Sequence, residues 1–151
     1  MTSAVIKTVA ILMADDDADD RLLAKDALAE CKLVNELIFV ENGEELLDFL
    51  HRRGKFTGST LPRPGLILLD LNMPRKDGRE ALREIKMDPE LRRIPVVVLT
   101  TSKADTDIAQ IYELGANSFI SKPVTFESLV NVMRIIGNYW LGVVELPPKT
   151  P

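Results

Sequence analysis

Cysteine is almost missing from this chain: Cys31 stands alone among 151 residues, which rules out an intramolecular disulfide and a multi-cysteine zinc site. Its place in an apolar helical run predicts core packing. No apolar run is long, since Leu66 to Leu69 and Pro95 to Leu99 fall far short of the roughly 20 residues of a membrane-spanning helix. Met1 to Lys7 carries no apolar segment of the secretory type, so the expected location is the cytoplasm. Histidine is scarce too, and His51, at a polar helix end before Arg52, reads as a surface residue. Aromatics make up only 5% of the chain, and none is interleaved with the short basic clusters Arg52, Arg53, Lys55 and Arg92, Arg93. With a net charge of -4, this argues against a nucleic-acid surface. Neither G-x-G-x-x-G nor G-x-x-x-x-G-K-[ST] occurs, which removes the common nucleotide-binding loops.

The 46% of hydrophobic and 28% of charged residues suit one globular domain with a sizeable core. Strand-length apolar runs alternate with stretches of helical periodicity, the pattern of repeated βαβ units. The strands are predicted at Thr8 to Ala14, Glu36 to Val40, Leu66 to Leu71, Pro95 to Thr100 and Asn117 to Ser121. Several are apolar throughout, as in a parallel sheet covered on both faces. Helices are predicted from Ala18 to Cys31 with Asp17 as N-cap, after Asn42 and Gly43, after Asp77, and through Ile108, Ile111 and Tyr112 to a stop at Gly115. A fifth carries Phe126, Leu129, Val130 and Met133 toward the core. Arg52 to Pro64, rich in Gly and Pro, reads as an extended loop, either simply tolerated or used as a partner contact.

In an open parallel sheet, ligands bind beyond the C-terminal strand ends. There the sequence places Asp15, Asp16 and Asp17 after strand one, Asp70 after strand three, Thr100, Thr101 and Ser102 after strand four, and Lys122 after strand five. Each residue alone is more often a solvated cap, a surface charge or a strand-end hydroxyl. Their joint placement carries the argument. Converging carboxylates repel unless a cation joins them, and an all-oxygen set suits Mg²⁺. A lysine and a hydroxyl beside them can take phosphate oxygens, and an aspartate can itself be the nucleophile that forms an acyl phosphate. Asp70, at the centre of the sheet, is the candidate.

Four segments then resemble a known family: Asp15-Asp16 after an apolar strand, Leu68-Leu69-Asp70-Leu71-Asn72-Met73-Pro74-Arg75-Lys76-Asp77-Gly78, Ile94-Pro95-Val96-Val97-Val98-Leu99-Thr100, and Gly115-Ala116-Asn117-Ser118-Phe119-Ile120-Ser121-Lys122-Pro123. Together they resemble the receiver domains of two-component response regulators, the CheY-like family. The resemblance implies an α/β, flavodoxin-like fold: a doubly wound five-stranded parallel sheet of order 2-1-3-4-5 between helices. It implies a receiver domain over residues 1–137, with a tail over 138–151 that extends helix five. Asp70 would be the phosphoacceptor, with Asp15, Asp16, Asp70 and the Asn72 backbone carbonyl around Mg²⁺. Lys122 and Thr100 would hold the phosphoryl oxygens, and Thr100 and Phe119 would form the switch. Phe119 lacks a tyrosine hydroxyl, so packing must carry that switch. Asn72 and Ser102 would tune the phosphate lifetime, and the Lys122-Pro123 bond would be cis, as only proline readily allows.

The loop before Pro64, the Leu71 to Glu80 segment and the tail from Asn138 resemble the phytochrome-associated single-domain regulators. The donor implied is a phosphohistidine on a sensor histidine kinase, with a phytochrome-type light sensor the candidate. No output domain follows in the eleven residues after Trp140, so output is expected through protein contacts, with no turnover of a metabolite. Ile136, Tyr139, Trp140 and Val143 are apolar surplus beyond the core set. They either fold back on the chain or, as the resemblance implies, join a homodimer through helices four and five with the tail as an arm. Two other readings fit the sequence less well. A receiver fold kept only as an interaction module is disfavoured by the full set of site residues. A haloacid-dehalogenase-type phosphohydrolase needs a second acid two positions after the nucleophile, where Asn72 stands.

Overall fold

Strand alternation sorts the apolar residues to two sides of a central sheet. The computed structural model describes residues 9–30, 34–101, 105–123 and 125–147, and five strands run through them: β1 (Val9–Ala14), β2 (Val34–Val40), β3 (Leu66–Leu69), β4 (Val96–Thr100) and β5 (Ser118–Ser121). All pair in parallel in the order β2-β1-β3-β4-β5, as expected. Successive side chains point to opposite faces. Leu12, Ala14, Ile67, Leu69, Val96 and Val98 therefore meet α2 (Gly43–His51), α3 (Gly78–Met87) and α4 (Asp105–Glu113) on one face. Ile11, Met13, Leu66, Leu68, Val97 and Leu99 meet α1 (Ala18–Leu28) and α5 (Phe126–Gly137) on the other.

Short polar side chains start four of these helices by accepting amides that the first turn leaves free. Asp17 accepts from the N–H groups of Asp19 and Asp20, Asn42 from Glu45, Asp77 from Arg79 and Thr125 from Ser128. Gly115, at φ 104°, ends α4 in a conformation that side chains disfavour. Gly78 opens α3 with no room for a Cβ, which would lie 2.6 Å from the Asp70 carbonyl oxygen, so α3 packs directly on the strand end that carries Asp70.

Several expectations are corrected. β3 ends at Leu69 rather than Leu71, because the Asp70 N–H still bonds the Ala14 carbonyl but the Asn72 N–H turns to the Asp70 carboxylate. α1 ends at Leu28, and Cys31 and Ser102 lie outside the described residues. No peptide bond among the described residues is cis, so Lys122-Pro123 takes the trans form, which X-Pro bonds favour by about 0.5–1 kcal/mol. The stretch after α2 is not simply extended. A 3₁₀ turn (Gly54–Phe56) sets Phe56 edge-on to Phe49 at 5.2 Å, and the Arg52 guanidinium lies over the same ring at 4.8 Å. Phe126, expected in the core, is 65% exposed, since it opens α5 one turn before the helix reaches the sheet.

The tail continues α5 as six π-helical residues, Asn138–Val143. Trp140 and Leu141 pack against the α1/α5 cluster, and Leu146 comes back beside Gly65 and Val9 at the N-terminal ends of β3 and β1. Ile136, expected at a dimer interface, is corrected: it is only 2% exposed, buried in the chain's own core, and has no surface to offer a second copy. Tyr139 is exposed, and the Val143 side chain lies outside what is described.

Candidate functional site

The C-terminal strand ends gather the chain's buried polar groups. Asp15 follows β1, Asp70 follows β3, Thr100 ends β4 and Lys122 follows β5, and all four are buried, with Asp15 and Thr100 fully so. Such burial is tolerated only when hydrogen bonds replace lost water. The Lys122 ammonium donates to Asp15 Oδ2 at 2.8 Å, to Asp20 Oδ2 at 2.8 Å and to Asp70 Oδ2 at 3.1 Å. The second oxygen of Asp15 accepts the Asp17 N–H at 2.9 Å, and that of Asp70 accepts the Asn72 N–H at 3.1 Å. No fully buried side-chain nitrogen or oxygen among the described residues lacks a partner.

Burial sets the electrostatics here. It pushes the Asp15 carboxyl above its ordinary value, and the hydrogen bonds from Lys122 and the Asp17 N–H offset only part of that push. For Lys122 burial works the other way and would lower the ammonium. Its hydrogen bonds to Asp15 and Asp20 and the nearby charge of Asp70 overcome this and hold it well above the usual lysine range. The lysine stays charged.

Carboxylate oxygens of Asp15, Asp16 and Asp70 lie within 4.8 Å of one another, the one such group of possible metal ligands among the described residues. Asp16 is exposed, so its oxygens open to solvent while the other two close the floor. Three hard oxygen donors at this spacing, two of them buried, fit a divalent cation of the Mg²⁺, Mn²⁺ or Ca²⁺ kind. The Asn72 side-chain amide donates to the Thr100 hydroxyl at 3.1 Å and reaches Thr101 at 3.5 Å, tying the β3 end to the β4 end. Phe119, one strand away, is half-buried against the α2/α3/α4 core, and its N–H donates to the Tyr112 hydroxyl at 3.1 Å.

Asp15, Asp16, Asp70, Asn72, Thr100 and Lys122 are thus brought together as the sequence placed them. Two residues were missed. Asp20 contacts Lys122 from the first turn of α1, and Arg21 donates to the Asp15 carbonyl at 2.8 Å while facing Glu41 at 3.6 Å. Acids in a first turn are ordinarily read as compensation for the helix dipole, so the sequence held no separate signal for Asp20.

Comparison with known proteins agrees with this geometry. Residues 11–134 match the family model described as the response regulator receiver domain. Response regulator Rcp1 of Synechocystis sp. is 44% identical over 137 residues, covering 91% of this chain and 92% of Rcp1. The crystal structure of Mn²⁺-bound Rcp1 superposes with a TM-score of 0.88 at 42% identity, covering 93% of this chain and 99% of that one. The phosphorylated cyanobacterial phytochrome response regulator RcpA gives a TM-score of 0.88 at 40% identity with the same coverage.

Proposed function

Because the chain belongs to the response regulator receiver family, we propose that Asp70 is its phosphoacceptor and that the acidic pocket holds Mg²⁺. The observation that carries this reading is the buried Asp70 carboxylate, with the Lys122 ammonium at 3.1 Å and the Asp15 and Asp16 oxygens within 4.8 Å. A cation bound by Asp15, Asp16, Asp70 and the Asn72 backbone carbonyl would neutralise charge on the incoming phosphoryl group. One Asp70 oxygen attacks phosphorus as the bond to the donor's leaving group breaks, and the electron pair departs with that group. Lys122 then takes a phosphoryl oxygen in place of Asp70 Oδ2. Thr100 offers its hydroxyl once it leaves the Asn72 amide, and the space it vacates admits Phe119. Such a site relies on positioning and charge, which suits a signalling acceptor that turns over no metabolite.

The likeness to Rcp1 and RcpA supports a sensor histidine kinase of the phytochrome type as donor. Ile135 and Tyr139, 56% and 52% exposed on α5 and its continuation, support output through a homodimer using helices four and five and the tail. In this proposal residues 1–137 form the receiver and 138–151 the appended tail. The phosphohydrolase reading is weakened further because Asn72 donates to Thr100 and supplies no acid.

The test is intact mass of the wild type and Asp70→Asn after acetyl phosphate treatment, with and without Mg²⁺, followed by size-exclusion chromatography. The expected result is one added phosphoryl group on the wild type alone, only with Mg²⁺, with a shift in elution if dimerisation follows. No gain under any condition would leave a receiver-shaped binding module.

A further inference from the structure

Asp20 is the charged contact in the pocket that the acceptor chemistry has not used. Its carboxylate meets Lys122 at 2.8 Å but is absent from the three carboxylates clustered within 4.8 Å of one another. Its position is fixed from behind, because its own N–H donates to the N-cap oxygen of Asp17 at 3.3 Å. Resting on the phosphoacceptor reading above, we propose that Asp20 is a positioning residue for phosphoryl transfer: it tethers the Lys122 ammonium on the α1 side of the pocket, so that the lysine shares Asp70 without pinning it.

An ammonium has three N–H donors. All three are engaged, and the bond to Asp70, at 3.1 Å, is the longest, against 2.8 Å to both Asp15 and Asp20. When an Asp70 oxygen attacks phosphorus of acetyl phosphate, the P–O bond to the acetyl group breaks and acetate leaves with the electron pair. Asp70 Oδ2 is then no longer part of a carboxylate, and the third N–H passes to a phosphoryl oxygen. The bonds to Asp15 and Asp20 hold the nitrogen still during that exchange. Without Asp20 the ammonium has two acceptors left, both at strand ends, and draws onto Asp70. A nucleophile more tightly paired in its resting state reacts more slowly.

The test compares full-length wild type, Asp20→Ala and Asp20→Asn, each checked for fold by its amide NMR spectrum. Phosphorylation by acetyl phosphate is followed by intact mass over a Mg²⁺ titration, and the Lys122 side-chain ¹⁵N resonance is recorded without Mg²⁺. Asp20→Ala is expected to lower the maximal rate about tenfold while the Mg²⁺ midpoint stays within about twofold. Asp20→Asn, whose amide oxygen still accepts from Lys122, should recover most of the rate, and only the alanine variant should move the Lys122 resonance. A wild-type maximal rate in Asp20→Ala, a loss explained entirely by a shifted Mg²⁺ midpoint, or an unmoved Lys122 resonance would each overturn the proposal alone. A wild type that gains no phosphoryl group would overturn the phosphoacceptor reading and this proposal with it.

Discussion

The two ends of the sheet are held by opposite physics. At the C-terminal end, Asp15, Asp70, Thr100 and Lys122 are buried and kept in place by hydrogen bonds of 2.8–3.1 Å, each of which needs its partner. At the N-terminal end, Leu146 lies beside Gly65 and Val9, and Trp140 packs on the α1/α5 cluster, contacts that need only shape and apolar area. The first arrangement is brittle, because removing one member strands a charge. The second is tolerant, because apolar surfaces accept several partners, including those of another chain. The proposed acceptor site and the packing of the tail thus lie at opposite ends of the strands.

Removing the central charge should break the polar end most. Lys122→Ala leaves Asp15 and Asp70 buried without their ammonium, and is expected to cost about 3 kcal/mol in divalent-free urea denaturation. It should also prevent phosphorylation, read by intact mass. A loss no larger than that of a surface lysine would mean that the pocket is wetter than its burial implies. The apolar end is sharpened by two neighbours. Ile136→Ala should cost about 3 kcal/mol, because Ile136 fills the α1/α5 core, whereas Ile135→Ala on the exposed face should cost under about 0.5 kcal/mol. In sedimentation, Ile135→Ala together with Tyr139→Ala should weaken self-association. If Ile136→Ala instead weakens association at unchanged stability, the packing of Ile136 in the chain's own core is wrong.

The same division explains what the sequence disclosed. Asp15, Asp70 and Thr100 were legible because each directly follows an apolar run, and Lys122 because only Ser121 separates it from Phe119 and Ile120; a parallel sheet carries all such steps to one end. Asp20 was not legible, because its contact depends on where α1 sets its first turn against the end of β5. Ile136 and Ile135 are adjacent and chemically identical, and only the rotation of α5 on the sheet decides that one is buried and the other exposed. The left-handed Arg52 and the Phe56 contact were hidden for a related reason: the composition of that stretch signals a turn without saying what the turn packs on.

The smallest effect isolates burial by repeating the lysine–carboxylate pair in water. Lys55 donates to Glu45 at 2.7 Å, with the lysine 61% exposed, whereas Lys122 is 8% exposed. Partial burial pushes Glu45 up, but hydrogen bonds from Lys55 and the Glu41 N–H outweigh it and hold the carboxyl below 4.5. As pH falls, the unfolded chain therefore takes up its proton first. The pair's contribution is present above 4.5 and disappears as pH drops through the folded value. For a surface pair it is under about 1 kcal/mol and shrinks with salt. Lys55→Ala should flatten part of the acid limb of stability against pH. The part due to Asp88, lowered chiefly by the Glu90 N–H, should remain. An acid limb unchanged by Lys55→Ala would show that solvent has already screened this pair, leaving burial as the sole reason the same chemistry matters at Lys122.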